Sequence, residues 1–255
     1  MTRERIVAAL LDGALLGVFM LSAGLFGALL EAANSPVHEA IDAPLLRRAL
    51  MGLAMGGTAV LLIRSPLGQR SGAHMNPATT FTFWRLGRVP AAVAVSYVLA
   101  QFAGGALGIL LAAWLVPAVA TPEVHYVVTR PGAFGLTAAF AAEVAMTFVL
   151  MSVVLRVSQS RRWNRHTASF AGGLVALYIT FEAPISGMSM NPARTFASAF
   201  AARDFTAFWL YLAAPLLGMS LAAELFVRRG RRTHCAKLHH ANETACPFRC
   251  GWDAA

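Results

Sequence analysis

Two stretches of this chain repeat one phrase. Ser71-Gly72-Ala73-His74-Met75-Asn76-Pro77-Ala78-Thr79-Thr80-Phe81 and Ser186-Gly187-Met188-Ser189-Met190-Asn191-Pro192-Ala193-Arg194-Thr195-Phe196 share Ser, Gly, Met, Asn, Pro, Ala, Thr and Phe at matching positions. Asparagine is a strong helix N-cap, and proline suits the first helical position, where its missing N–H would have no partner. Asn76-Pro77-Ala78 and Asn191-Pro192-Ala193 therefore read as abrupt helix starts. One such start is only a cap. Two of them, in inverted halves of an apolar chain, set two helix N-termini against each other at the membrane midplane, each carrying about half an elementary charge of positive dipole potential. That field opposes cations and protons, while the Asn76 and Asn191 amides offer N–H groups to a neutral molecule. The chemistry implied is noncovalent passage.

Few other polar groups lie in the apolar runs. Asp12 and Glu143 are costly there and mark either a proton relay or a structural anchor. A relay needs further titratable partners, which the apolar runs lack, so the anchor reading is favoured. His74 reads equally as a satisfied loop histidine or as a residue facing a pore. No nucleophile–base constellation is present, so no enzyme is expected. The last residues carry Cys235, His239, His240, Cys246 and Cys250, whose soft donors suit zinc or another thiophilic ion. Their spacing matches no standard zinc module, and neither a resident metal nor a cofactor is expected.

These residues need elements to hold them. The chain is 57% hydrophobic and 13% charged, with mean hydropathy +0.59, against about 25% charged residues in soluble domains. Much of its surface must face lipid. Six runs approach the roughly 20 apolar residues that a span needs: 6–30, 45–63, 89–115, 134–156, 168–183 and 206–227. Two shorter runs, 76–86 and 191–202, each open on Asn-Pro-Ala and read as re-entrant half-helices, tolerated at membrane depth where they line a wet cavity. The expected architecture is an all-α membrane protein with an inverted repeat. The first repeat is 1–120, the second 121–227, and 228–255 is a cytoplasmic tail of unlike composition, expected to be a mobile appendage.

Charge orients the chain. With both termini inside, the inner segments carry Arg3, Arg5, Arg64, Arg70, Arg85, Arg88, the four arginines of 156–165 and the six basic residues after 227. The outer segments carry Arg47, Arg48, Arg130 and Arg203, with Arg194 on the outer half-helix. The bias puts both termini on the cytoplasmic side. The net charge of +9 lies in these loop clusters and not on one basic face, so nucleic acid is not an expected partner. Ile6–Leu30 is longer than a signal peptide's apolar region and reads as the first span. The three cysteines all lie in the tail, so no disulfide framework supports the fold.

From both Ser-Gly-x-x-x-Asn-Pro-Ala segments, Arg194 directly after the second, Gln101 in the third span and one acid each in the first and fourth, the chain over 6–227 resembles the aquaporin (major intrinsic protein) family. The family usually has Glu at both acidic positions, so Asp12 departs conservatively. The resemblance implies that Asp12, Glu143 and Gln101 brace the loops before the half-helices and that Arg194 is the selectivity arginine. It places Ile179 and Met188 in the outer constriction, with either Met55 or Gly56 from the second span. Water-selective members usually place Phe and His there, and glycerol conductors two aromatics and Gly; this chain has neither set. Thr195, Ala199 and Tyr211 look water-like, whereas Leu212 is glycerol-like. The resemblance implies a homotetramer with one pore per subunit. The expected function is a passive channel for water, then polyols or metalloid hydroxides, in a bacterial inner (plasma) membrane, with lipid and small neutral solutes as its partners. The rivals are a secondary transporter, which also uses inverted repeats and broken helices, and a non-conducting structural membrane protein.

Overall fold

The computed structural model describes residues 2–240 and 246–252, and every regular element in it is helical. Helix α1 (Arg3–Glu31) leads through a short α2 (Pro36–Ala40) into α3 (Pro44–Arg64). Then come α4 (Pro66–Ser71), α5 (Pro77–Arg85) and α6 (Ala91–Leu115). Two 3-10 turns, Pro117–Ala120 and His125–Val127, lead to α7 (Gly135–Ser158). The order closes with α8 (Thr167–Phe181), α9 (Ala183–Ser186), α10 (Pro192–Ala202) and α11 (Phe208–Arg228). Proline stands in the first turn of α2, α3, α4, α5, α9 and α10. Ser35 and Ser65 cap α2 and α4 by accepting the Val37 and Gly68 N–H groups.

Among the described residues five helices, α1, α3, α6, α7 and α11, are long and apolar enough to cross a membrane. The remaining expected span, 168–183, is α8, whose 15 residues fall short of the roughly 20 of a full crossing and are followed directly by α9. Helix α9 begins at Ala183, just past Glu182, with Pro184 in its first turn, and that break ends α8. Leu53, Leu61, Leu99, Leu107 and Trp114 point outward and are exposed. So large an outward apolar surface marks contact with a nonaqueous partner, and lipid is the one the apolar spans require.

The helices pair through small residues. Helix α1 packs on α6, α7 on α11, and α3 on α8. A Cβ on Gly108 would lie 2.0 Å from the Gly17 carbonyl oxygen, and one on Gly56 would lie 2.5 Å from that of Gly172. Without a hydrophobic force between helices in lipid, close backbone approach supplies the packing energy. Gly108→Leu is therefore expected to lower stability by about 1–3 kcal/mol or more. Gly57→Ala, where nothing lies within 4 Å, should be neutral or slightly stabilising. Thermal melts of the detergent-purified variants compare the two; equal melting points would mean α1 and α6 do not need this approach.

Among the described residues, the tail is not a loose appendage. Cys235, Ala236, Lys237, Leu238 and Phe248 are buried. The Leu238 N–H donates to the Gly72 carbonyl at 3.0 Å, and the Arg249 N–H to the Arg88 carbonyl at 2.9 Å. Its apolar residues are too few and too scattered to register as a run of spanning length.

Candidate pore and its loops

Helices α5 and α10 meet nose to nose. Asn76 caps α5, its Oδ1 accepting the Ala78 N–H at 2.9 Å. Asn191 caps α10, accepting the Ala193 and Arg194 N–H groups at 3.0 and 3.2 Å. Each amide also reaches across the junction. Asn76 Nδ2 donates to the Met190 carbonyl at 2.8 Å, and Asn191 Nδ2 to the Met75 carbonyl at 2.7 Å. One N–H of each amide thus ties the two half-helices together, and the second remains for a neighbour. Pro77, Ala78, Pro192 and Ala193 are buried within the half-helices.

The approach to each cap is strained in the same way. Gly72, Ala73 and Met75 have φ of 94°, 54° and 48°, and Gly187, Met188 and Met190 have 80°, 51° and 57°. Left-handed backbone costs a non-glycine residue about 1–2 kcal/mol, so something must hold these loops. The buried acids do so. Asp12 accepts the His74 N–H at 2.9 Å, the Met75 N–H at 2.8 Å, Ser71 Oγ at 3.2 Å and Gln101 Nε2 at 2.7 Å. Glu143 accepts the Ser189 and Met190 N–H groups, both at 2.7 Å, and Ser186 Oγ at 2.9 Å. Tyr97 Oη donates to the Ser71 carbonyl at 2.6 Å, and Tyr211 Oη to that of Ser186 at 2.5 Å. Tyr97 escaped the sequence reading, although it lies one helical turn before Gln101 as Tyr211 lies in the matching helix of the other half.

A cavity of about 310 Å³ runs past this junction. Of the residues singled out from the sequence, Met55, His74, Asn76, Ile179, Met188, Asn191 and Arg194 line it. Gly56 does not: it faces α8, in close contact with Gly172, which leaves Met55 as the lining residue of that pair. Asp12, Gln101 and Glu143 stand behind the loops, fully buried. The reading missed Val127 and Val128, which enter from the loop before α7, and Leu238 from the tail. Val127 has φ 50°, a conformation no sequence pattern announces for valine.

Arg194 follows the second cap directly and lines the cavity. The residue is half-buried, although its Nη1 is itself buried with no hydrogen-bond partner among the described residues. His74 is held on both sides: Nε2 lies 2.8 Å from the Ala236 carbonyl and Nδ1 lies 3.0 Å from Thr80 Oγ1. A carbonyl only accepts, so Nε2 carries the proton and Nδ1 accepts from Thr80. Phe83 and Phe248 stack on its two sides, with centroids at 5.3 and 5.0 Å. His74 therefore lines the cavity as a satisfied, clamped ring.

The fold and this junction define a class: an inverted-repeat helical membrane protein with a lumen between its halves. The profile of the major intrinsic protein family matches residues 4–226, and the chain belongs to that family. It is 38% identical over 171 residues to Aquaporin NIP6-1 of Arabidopsis thaliana, covering 67% of this chain and 54% of that relative. It is 38% identical over 163 residues to Aquaporin NIP1-3 of Oryza sativa subsp. japonica, covering 64% and 56%. The matches thus span little more than half the length of these relatives. Among solved structures, the aquaglyceroporin from Plasmodium falciparum superposes with a TM-score of 0.65 at 19% identity, over 86% of this chain and 95% of that one. At that identity the likeness speaks for the fold.

Proposed function

We propose that the chain is a passive channel for water and small uncharged solutes such as glycerol, with metalloid hydroxides a further candidate. The observation that carries this is one cavity lined by both capping asparagines and by Arg194. A solute there exchanges its hydrogen bonds with water for those of Asn76, Asn191 and Arg194. Two half-helix dipoles and a guanidinium oppose cations along the same path. Met55, Ile179, Met188 and Arg194 form the selective ring in this reading, and Asp12, Glu143 and Gln101 hold the loops. The chain works with both termini in the cytoplasm, as the loop charges favour, and as a homotetramer with one lumen per subunit. The two-repeat division at about residue 120 belongs to the same reading.

Stopped-flow light scattering of proteoliposomes tests it with water, glycerol and arsenite in turn. Permeability equal to that of empty vesicles supports a structural role instead, and uptake against a gradient supports a coupled transporter. The aliphatic ring gives a sharper expectation. Ile179→His adds a polar group and narrows the wall, so the water-to-glycerol permeability ratio should rise by roughly threefold or more. An unchanged ratio places Ile179 outside the ring.

A further inference from the structure

The tail brings together four of its five soft-donor residues. Cys235 Sγ, His240 Nε2, Cys246 Sγ and Cys250 Sγ belong to a group whose donor atoms all lie within 4.8 Å of one another. Cys235 Sγ is 3.5 Å from Cys246 Sγ, and His240 Nε2 is 3.1 Å from Cys250 Sγ. A tetrahedral zinc ion, with Zn–S about 2.3 Å and Zn–N about 2.0–2.1 Å, requires S···S near 3.8 Å and S···N near 3.5 Å. The two closest pairs lie within about 0.4 Å of those figures, and the 4.8 Å limit on the others leaves at most about 1.3 Å to close. His239 stays outside the group.

The surroundings suit a cation site. Cys235 is fully buried, and the Lys237 N–H donates to its sulfur at 3.5 Å, the outer hydrogen bond that steadies a ligating thiolate. Three thiolates and one divalent ion leave a net charge of −1, and the buried Lys237 sits within the same short segment to offset it. A disulfide accounts for less. The two close sulfurs are free thiols, and a Cys235–Cys246 bond would leave Cys250 and His240 paired only with each other.

The group also ties two separate pieces of tail to the cavity. Residues 233–240 supply Cys235 and His240, and residues 246–252 supply Cys246 and Cys250. Gln159 grips the first piece: its Oε1 accepts the His234 N–H at 2.6 Å, and its Nε2 donates to the Cys235 carbonyl at 2.9 Å. Ala236 meets His74, and Leu238 lines the cavity. The second piece stacks Phe248 on His74 and accepts Arg5 Nε at the Pro247 carbonyl, 3.2 Å away. Joining the pieces fixes what stands in that end of the cavity.

We propose that Cys235, His240, Cys246 and Cys250 form a Cys₃His site for Zn²⁺, and that the bound ion clamps the tail across this end of the cavity. Three S–H protons pass to solvent as three Zn–S bonds form, and neutral His240 gives the fourth lone pair. The site stands on the tail's own geometry and does not depend on what the cavity conducts.

The full-length, reduced protein in detergent is titrated with Co²⁺ and then with Zn²⁺. One equivalent of Co²⁺ should give the visible bands of a tetrahedral thiolate complex, and Zn²⁺ should displace it with a nanomolar or tighter Kd. Cys250→Ser should weaken Zn²⁺ binding at least about 100-fold, with Cys235→Ser as a second variant and His239→Ala binding as the wild type does. Hydrogen exchange across 233–252 should slow on zinc loading and quicken on chelation. Absence of tetrahedral bands while thiol titration finds three free cysteines overturns the site, as does a Cys235–Cys246 disulfide in the freshly purified protein. Zinc binding with unaltered tail exchange overturns the clamp.

Discussion

Arg194→Ala should raise the leak of protons and Na⁺ through reconstituted protein at least about tenfold, the largest change in selectivity expected from one residue. The guanidinium lines the cavity directly after the second cap, with one donor unpartnered among the described residues. A unit charge about 4 Å from a second is opposed by roughly 4 kcal/mol at an effective dielectric near 20. That barrier corresponds to about three decades in rate at most. The half-helix dipoles survive the substitution and keep part of the barrier, so the expected increase is smaller than the full figure. Arg194→Lys separates charge from shape. It keeps the cation but loses the planar fork, so ion exclusion should persist while solute preference shifts. A pH-sensitive dye inside vesicles under an imposed potential reads the leak. A leak equal to the wild type's would remove Arg194 from the ion barrier.

Glu143→Ala should cost about 3–5 kcal/mol, a large share of the roughly 5–15 kcal/mol that holds a domain. The carboxylate accepts two backbone N–H groups and one hydroxyl. Its removal leaves buried donors unpaired at about 1–3 kcal/mol each. It does so in a loop where Met188 and Met190 already occupy left-handed backbone, so strain and unpaired donors act together. The protein should melt far below the wild type or fail to elute as a single species on size exclusion. Asp12→Ala should behave alike, since it holds the matching loop through the His74 and Met75 N–H groups. Glu143→Gln should fall between, because one acceptor oxygen remains while the amide N–H₂ meets another donor. Unchanged melting in Glu143→Ala would show that Tyr211 and the cap alone hold the loop.

The two sets of predictions rest on residues that differ in how readily a sequence reveals them. Asp12 and Glu143 stand out because a charge inside an apolar run is rare and expensive. Arg194 stands out only beside the repeated Asn-Pro-Ala. Tyr97 is an aromatic within an apolar helix, and nothing in its neighbours marks it. Its partner is the Ser71 carbonyl, 26 residues away in the chain, and no local pattern shows such a pairing. Met55 and Gly56 could not be separated by counting, because neighbouring positions on a helix differ by about 100° in facing. The contact of Gly56 with Gly172 decides it.

Hydropathy, capping and the prolines are local properties, legible from a few consecutive residues. By themselves they determined the helical, lipid-facing character of the chain, the starts of the two half-helices and the internal repeat. The crossed Asn76–Met190 and Asn191–Met75 bonds, the docking of 233–240 and 246–252 and the convergence of Cys235, His240, Cys246 and Cys250 were decided by tertiary structure alone. Each joins groups far apart in sequence or turns on which face a helix presents. Such pairings become favourable only after the surrounding helices have met the entropic cost of bringing them together.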